Sequence, residues 1–525
     1  MSLLFLVHWA ELWFRVPMDL DLVIRNGTVV SASDILHECD IGIKDGTIVV
    51  VGKNLPARAG TEEVNAGGAL VTPGGVDSHC HLSQFYDPGP GQEQKTQVTD
   101  GNIPAEFNFA GDDYESGSRS AIAGGTTTIM SFAVQYRDDE SLKPVIEEYH
   151  KLAQGKAYCD YSFHLIVTNP TPTVLKDDLP QLITHYGLSS IKIFMTYESA
   201  KLSDYQILGV LNAARSIGIT TMVHAENGDV VEYLTEQLEA NNMVQPHHHG
   251  TSRPPLVEAE ATNRAVALAE LMSAPVLLVH VSSALATKVI RKAQTRGLFV
   301  HGETCPHYLF LLAEKMNQTG FGGAKFVCSP PLRETSADLD AIWQGVQNGT
   351  FTTISSDHAA TRYDHPNGKM KGFCNHGPHG KFKYIPNGLP GLETRLPLLF
   401  TGGVLSGRIS PQKFVELTSS NPAKLYGLTR KGAIAPGMDA DITIWYPQDQ
   451  FEPFRLSNDM LHHAIDYTPY EGFEFRNWPR YTFLRGQLMF AEGKLVGPRG
   501  AGAFVRRTPS VLAACKPATQ TQWLN

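Results

Sequence analysis

No run of eighteen apolar residues occurs in the chain, so no stretch is long enough to cross a bilayer as a helix. Basic charge is also short: 44 lysines and arginines face 53 acidic residues, a net charge of −9, which argues against nucleic acid as a partner. Cysteine is scarce. The seven thiols (Cys39, Cys80, Cys159, Cys305, Cys328, Cys374 and Cys515) are odd in number and widely scattered. That pattern fits free thiols in a reducing, cytoplasmic compartment better than a disulfide framework. The opening eighteen residues are apolar but lack a basic start, and Glu11 and Arg15 interrupt them, so 1–18 reads as an N-terminal extension rather than a secretory signal.

What is present divides into two similar ends and a different middle. Near the start, "LDLVIRNGTVVS" carries Asn26-Gly27 and "IGIKDGTIVVVG" carries Asp45-Gly46, both hairpin signals between β-rich runs. Near the end, "DADITIWYP" and "YTFLRGQLMFAEGKLV" read the same way. Residues 19–72 and 431–505 are therefore expected to build one small β-sandwich domain, with 506–525 as a C-terminal tail. Between them, 73–430 alternates strands (69–77, 125–132, 161–167, 189–195, 219–223, 275–279, 298–303, 351–356) with helical patterns. Ser203 can cap one helix, Ser282 or Ser283 another that stops at Gly297. Eight such units predict a (β/α)8 TIM barrel. A doubly wound sheet is the alternative, but no glycine-rich phosphate loop follows the first strand.

A barrel places its chemistry at the C-terminal ends of its strands. Those ends carry His79 and His81, Lys192, His224, His280 and Asp357. Singly each signal is weak, since an isolated His-x-His is most often just two histidines and Asp357 could equally cap a helix. Together, four imidazoles and a carboxylate on one rim suit Zn²⁺. Two metals at close spacing need a bridge. Lys192, in the middle of the apolar strand "SSIKIFM", supplies one if its amine adds CO2 to become an anionic carbamate, N6-carboxylysine.

The order of "GGVDSHCHL", "IKIFMTY", "HAENGD", "HVSS", "ETCPHYL", "SPPLR", "SSDHAA" and "IPNGLPG", followed by "NPAKLYGL" and "DYTPYEG", resembles the dihydropyrimidinase/hydantoinase family of cyclic amidases, from about Leu20 to Arg506. The resemblance implies a zinc-dependent hydrolase that opens 5,6-dihydropyrimidines or hydantoins. It implies two zinc ions per subunit, one held by His79, His81 and Asp357, the other by His224 and His280, with carboxylated Lys192 between them. Asp357 would move the proton, Tyr197 would donate to the oxyanion, and Ser329 and Asn387 would read the substrate's –CO–NH– edge through their main chains. It further implies a homotetramer, with the patternless tail on a neighbouring subunit. An allantoinase- or imidase-like activity shares the metal scheme. A non-enzymatic adaptor relative would have lost metal ligands, and here all six candidates are present.

Other features have plainer readings. His247, His248 and His249 form a loop between helices. His301, Glu303 and His307 support the site or the fold rather than ligate, and Cys80 packs on the face opposite its neighbouring histidines. Asn227 and Asp229 shape the loop after the fifth strand. The long segment after the first strand covers the site mouth, and Leu82, Phe85, Tyr86 and Phe194 are candidates for the wall that meets a ring substituent.

Overall fold

The computed structural model describes residues 19–84 and 111–510, apart from 366, 375, 377 and 378. The extension 1–18, the pocket-wall candidates Phe85 and Tyr86, and the tail beyond 510 lie outside the described residues.

Eight parallel strands run in sequence order around a barrel: Gly75–Cys80, Thr126–Val134, Asp160–Ile166, Ser190–Phe194, Thr220–His224, Val276–Leu278, Val300–Thr304 and Thr353–Ile354. The last meets the first through a parallel bridge between Cys80 and His358, which nearly closes the ring. Helices form between the strands where their caps predict. Ser203 and Gln206 make a reciprocal capping box for Asp204–Ile217, which ends on left-handed Gly218. Ser283, not Ser282, caps Ala284–Thr295. The barrel interior is apolar below the rim, with Val76, Met130, Phe132, Ile166, Met222 and Leu277 in one cluster.

The two chain ends do combine, into one nine-stranded mixed sheet. Leu70–Pro73 pairs antiparallel with Ile442–Trp445, so strands from both termini meet at a single seam. Two expectations change at this sheet. The run 69–77 is not one strand: Leu70–Pro73 stays in the outer sheet and the barrel begins at Gly75. The chain crosses over at Gly74, where an added Cβ would lie 2.2 Å from Thr127 Oγ1. Asn26-Gly27 is likewise not a hairpin turn but an irregularity inside the strand Leu22–Val30. Its amide is taken by the Asp40 carboxylate at 2.9 Å, and Val71 Cγ2 would be 2.7 Å from a Cβ on Gly27, so close strand packing uses the glycine. Asp45-Gly46 is a true turn, both residues at positive φ.

The tail also divides. Arg506–Ser510 stay on their own barrel: Arg507 N donates to Gly187 O at 2.7 Å, and its buried guanidinium reaches Ser190 Oγ at 2.7 Å from below. No described helix is long and apolar enough to cross a membrane.

Candidate active site

Strand alternation explains most of the rim. Along Ser190–Phe194, Ile191 and Ile193 pack outward with the surrounding helices, which turns Lys192 and Phe194 into the lumen. Thr220–His224 carries His224 inward on the same parity as Met222. His280 breaks the rule. Leu277 and Val279 face the lumen, so the next inward position by alternation is Val281; instead His280 has φ of +41° and Val281 joins the outer core. Asp357 (φ +44°) and Tyr197 (φ +66°) are also in the left-handed region. Non-glycine residues adopt it at a cost of order 1–3 kcal/mol, and three such residues at one rim mark a site that the surrounding fold holds under strain.

The six candidate ligands converge. His79 Nε2 lies 2.9 Å from Lys192 Nζ and 3.0 Å from Asp357 Oδ1, and His81 Nε2 is 3.5 Å from the same oxygen. The His224 and His280 rings are 4.4 Å apart, and His280 is 5.5 Å from His79. Phe132 stacks on His81 at 4.8 Å and sits 4.3 Å below the Lys192 amine.

The hydrogen bonds behind these rings fix which nitrogen faces the centre. Glu303 Oε1 takes the Nδ1 proton of His79 at 2.6 Å, and Gln84 Oε1 that of His81 at 2.8 Å. Each ring then turns Nε2 toward the Asp357 carboxylate. A neutral ring and the carboxylate would both be acceptors there, a pairing that a cation satisfies, or, at His79, a proton: burial lowers its pKa, but Glu303 and Asp357 outweigh burial and raise it. Glu226 Oε2 holds His224 Nε2 at 2.8 Å, and His280 Nδ1 is buried with no hydrogen-bond partner. The donor set of imidazoles and carboxylate, each backed by an oriented outer partner, fits divalent metal binding. His79, His81 and Asp357 bring their ligand atoms within 4.8 Å of one another.

Electrostatics follow from burial. Burial lowers the Lys192 amine to about 8, against the partial counter-pull of Asp357 and Glu303. Burial also lowers His81 to about 4 and depresses His224 and His280, so these imidazoles are neutral at pH 7. For Asp357, burial pushes upward, but His79 and His81 outweigh it and hold the carboxyl well below the usual carboxylate range.

Beside the rim, a cavity of about 490 Å³ is bounded among the described residues by Lys192, Phe194, Tyr197, Ser329, Asp357 and Asn387, among others. Asn387 Nδ2 donates to the Tyr197 hydroxyl at 3.1 Å. Ser329 Oγ donates to Glu226 Oε2 at 2.6 Å, and Arg253 Nη1 bridges both, 2.8 Å from each. Thus Glu226 links a candidate ligand, His224, to a candidate substrate residue, Ser329.

Phe194 lines the cavity as expected, whereas Leu82 does not: it is fully buried against Gly117 of the next helix, where a Cβ would lie 2.4 Å from its Cδ2. Glu303 backs His79 as expected. His301 bonds Thr352 Oγ1 instead, and the buried His307 lies next to Cys305 and Asp357. Cys80 packs away from the histidines, in the outer core. Asn227 caps Gly228–Ala240, and Asp229 pairs with Lys201. Sequence reasoning missed Gln84, Glu226 and Arg253. Glu226 had a signal, two residues after His224 and so on the same side; Gln84 and Arg253 had none.

The amidohydrolase family model matches residues 70–489. Among curated relatives, the D-hydantoinase of Geobacillus stearothermophilus is 40% identical over 92% of this chain and 96% of its own length, and that of Ralstonia pickettii 38% over 93% and 99%. Among solved structures, the dihydropyrimidinase of Brevibacillus agri NCHU1002 superimposes with a TM-score of 0.84 at 36% identity, covering 93% of this chain and 99% of that one. A barrel with six convergent ligand candidates and full-length likeness to these enzymes has one reading: the chain belongs to the amidohydrolase family, as a cyclic amidohydrolase of the hydantoinase and dihydropyrimidinase type.

Proposed function

We propose that this protein opens the ring of 5,6-dihydropyrimidines or hydantoins to give N-carbamoyl amino acids, using two zinc ions and a carboxylated Lys192. The observation that carries the metal scheme is Lys192 itself. Its amine is buried among imidazoles and aromatic rings, with no carboxylate within 4 Å among the described residues. A depressed pKa leaves a useful fraction of free amine, which adds CO2, forms a C–N bond and loses a proton to become an anion. His79, His81 and Asp357 would hold one ion, His224 and His280 the other, with Lys192 between. Bound there, the ions would supply hydroxide at neutral pH and draw charge from the attacked carbonyl.

The chain's own residues do the rest. Asp357 accepts the water's proton and passes it to the ring nitrogen as the C–N bond breaks and the new C–O bond forms. Tyr197, kept protonated by burial, donates to the oxyanion. Ser329 and Asn387 grip the –CO–NH– edge through main-chain groups, which suits a neutral ring. The free thiols support a cytoplasmic location, and the resemblance a homotetramer.

The test is zinc content together with relative kcat/KM across dihydrouracil, hydantoin, 5-substituted hydantoins, succinimide and allantoin. About two zinc ions per chain with preference for the first three supports the reading. Protein that carries no zinc as isolated, and opens none of them when zinc is supplied, sinks it.

A further inference from the structure

Two buried side chains outside the catalytic rim hold the main chain on either side of the cavity. Lys369 Nζ is fully buried and donates to three carbonyls, Val327 O at 2.8 Å, Pro386 O at 2.7 Å and Gly388 O at 2.7 Å; burial lowers its pKa to about 7, and three acceptors around one nitrogen favour the ammonium form. Three N–H groups meet three acceptors, a match that neither arginine nor a neutral side chain reproduces. His249, the last of the three-histidine run, is not in a loop but in the short helical turn His248–Thr251, and its Nε2 donates to Cys328 O at 2.8 Å.

These carbonyls are specific ones. In a trans peptide the C=O and the following N–H point in opposite directions. The Cys328 carbonyl shares its peptide with the amide of Ser329, and the Pro386 carbonyl with that of Asn387. A donor that grips the carbonyl from behind therefore turns the amide to the far side. Ser329, Asn387 and Gly388 line the cavity; His249 and Lys369 do not. The two segments are also tied to each other, since Gly388 N donates to Val327 O at 3.0 Å. Gly388 sits at φ +128° with room for no Cβ, 2.1 Å from Ala359 O, so its position is fixed from a third side.

We propose that His249 and Lys369 are positioning residues that aim the Ser329 and Asn387 amides at the substrate's –CO–NH– edge. This rests on the cyclic-amide reading and adds to it where its binding specificity is set. Lys369 lies in the long segment after the eighth strand and His249 in the one after the fifth, so two otherwise unassigned segments act on one ligand edge.

The experiment compares Lys369→Met, Lys369→Gln, His249→Leu and His249→Gln with wild type. Lys369→Met and His249→Leu should each raise KM for dihydrouracil about tenfold while kcat stays within about threefold, because they remove binding shared by ground and transition states. Zinc content should not change. Gln at 249 places an N–H donor near the position of Nε2 and should recover most of the KM, and Gln at 369, with two donors, should recover part. In Lys369→Ala, propylammonium should lower KM and propanol should not. A fall in kcat at constant KM, loss of zinc, equal rescue by propanol, or insolubility of both variants at a position would each overturn the positioning role there. Calorimetric binding of N-carbamoyl-β-alanine reads the same segments without turnover. Wild type that binds this probe yet opens no ring would sink the activity but leave the positioning claim to the Kd ratios, and wild type that does neither sinks both.

Discussion

Lys192 and Lys431 are both buried, one at the barrel rim and one at the seam between barrel and outer sheet, and their surroundings are opposite. Lys431 meets Asp160 at 2.6 Å, Asp441 at 2.7 Å and Asp439 at 3.0 Å. Burial disfavours its charge, but the three carboxylates outweigh burial and raise its pKa. Lys192 meets imidazoles and rings, and burial wins. A lysine surrounded by carboxylates stays an ammonium and fastens two layers together. One surrounded by imidazoles and aromatic rings, with no carboxylate within 4 Å among the described residues to hold its charge, is open to other chemistry. Burial alone does not separate structure from chemistry; the partners do.

Four changes probe that contrast. Lys192→Ala should lose nearly all activity and most of its zinc, with partial return on adding a short carboxylic acid that can occupy the bridge; wild-type rate at full zinc occupancy would refute the carbamate. Asp357→Asn should lower kcat by about 10²–10⁴ without unfolding the protein, measured at matched metal loading. At the seam, Lys431→Met should leave the buried Asp441 without a cationic partner, while Asp160 keeps Arg485 and Asp439 keeps Arg430, and should cost about 3–5 kcal/mol in denaturant unfolding while activity per folded molecule is retained. If that variant instead folded normally and lost turnover, the division between seam and rim would fail. Smallest is a pH effect on reconstitution. Because the amine that takes CO2 is the unprotonated one, metal-free protein given zinc under a fixed partial pressure of CO2 should activate up to roughly twentyfold faster at about pH 8.5 than at about pH 6.5, rising through the Lys192 pKa of about 8. A flat profile would remove the amine from the assembly step.

The same contrast explains what could be read in the sequence. His79, His81, Lys192 and His224 follow from strand parity, a local property. His280 was legible as a strand-end histidine, but its inward direction depends on a backbone switch that no pattern announces. Gln84 and Arg253 act through side-chain reach across the fold, and Arg253 finds Glu226 27 residues away. Asn26-Gly27 misled because its hairpin signature is local, while the neighbours that make it a strand irregularity, Asp40 and Val71, come from other strands. The break at Gly74 has the same origin. Where candidate ligands sit on regular strands their inward direction was legible in the sequence, and where long-range packing chose the conformation it was not.

The seam between Leu70–Pro73 and Ile442–Trp445 has a consequence for synthesis. Thr72 and Thr443 are 371 residues apart, so at ribosomal speeds of about 5–20 residues per second the first strand emerges roughly 20–75 s before its partner exists. During that interval the whole barrel is translated while the early strand keeps an open edge. Completion of the outer sheet is thus a late event, and the nascent chain's exposure to aggregation is concentrated at its oldest strands rather than at its catalytic barrel.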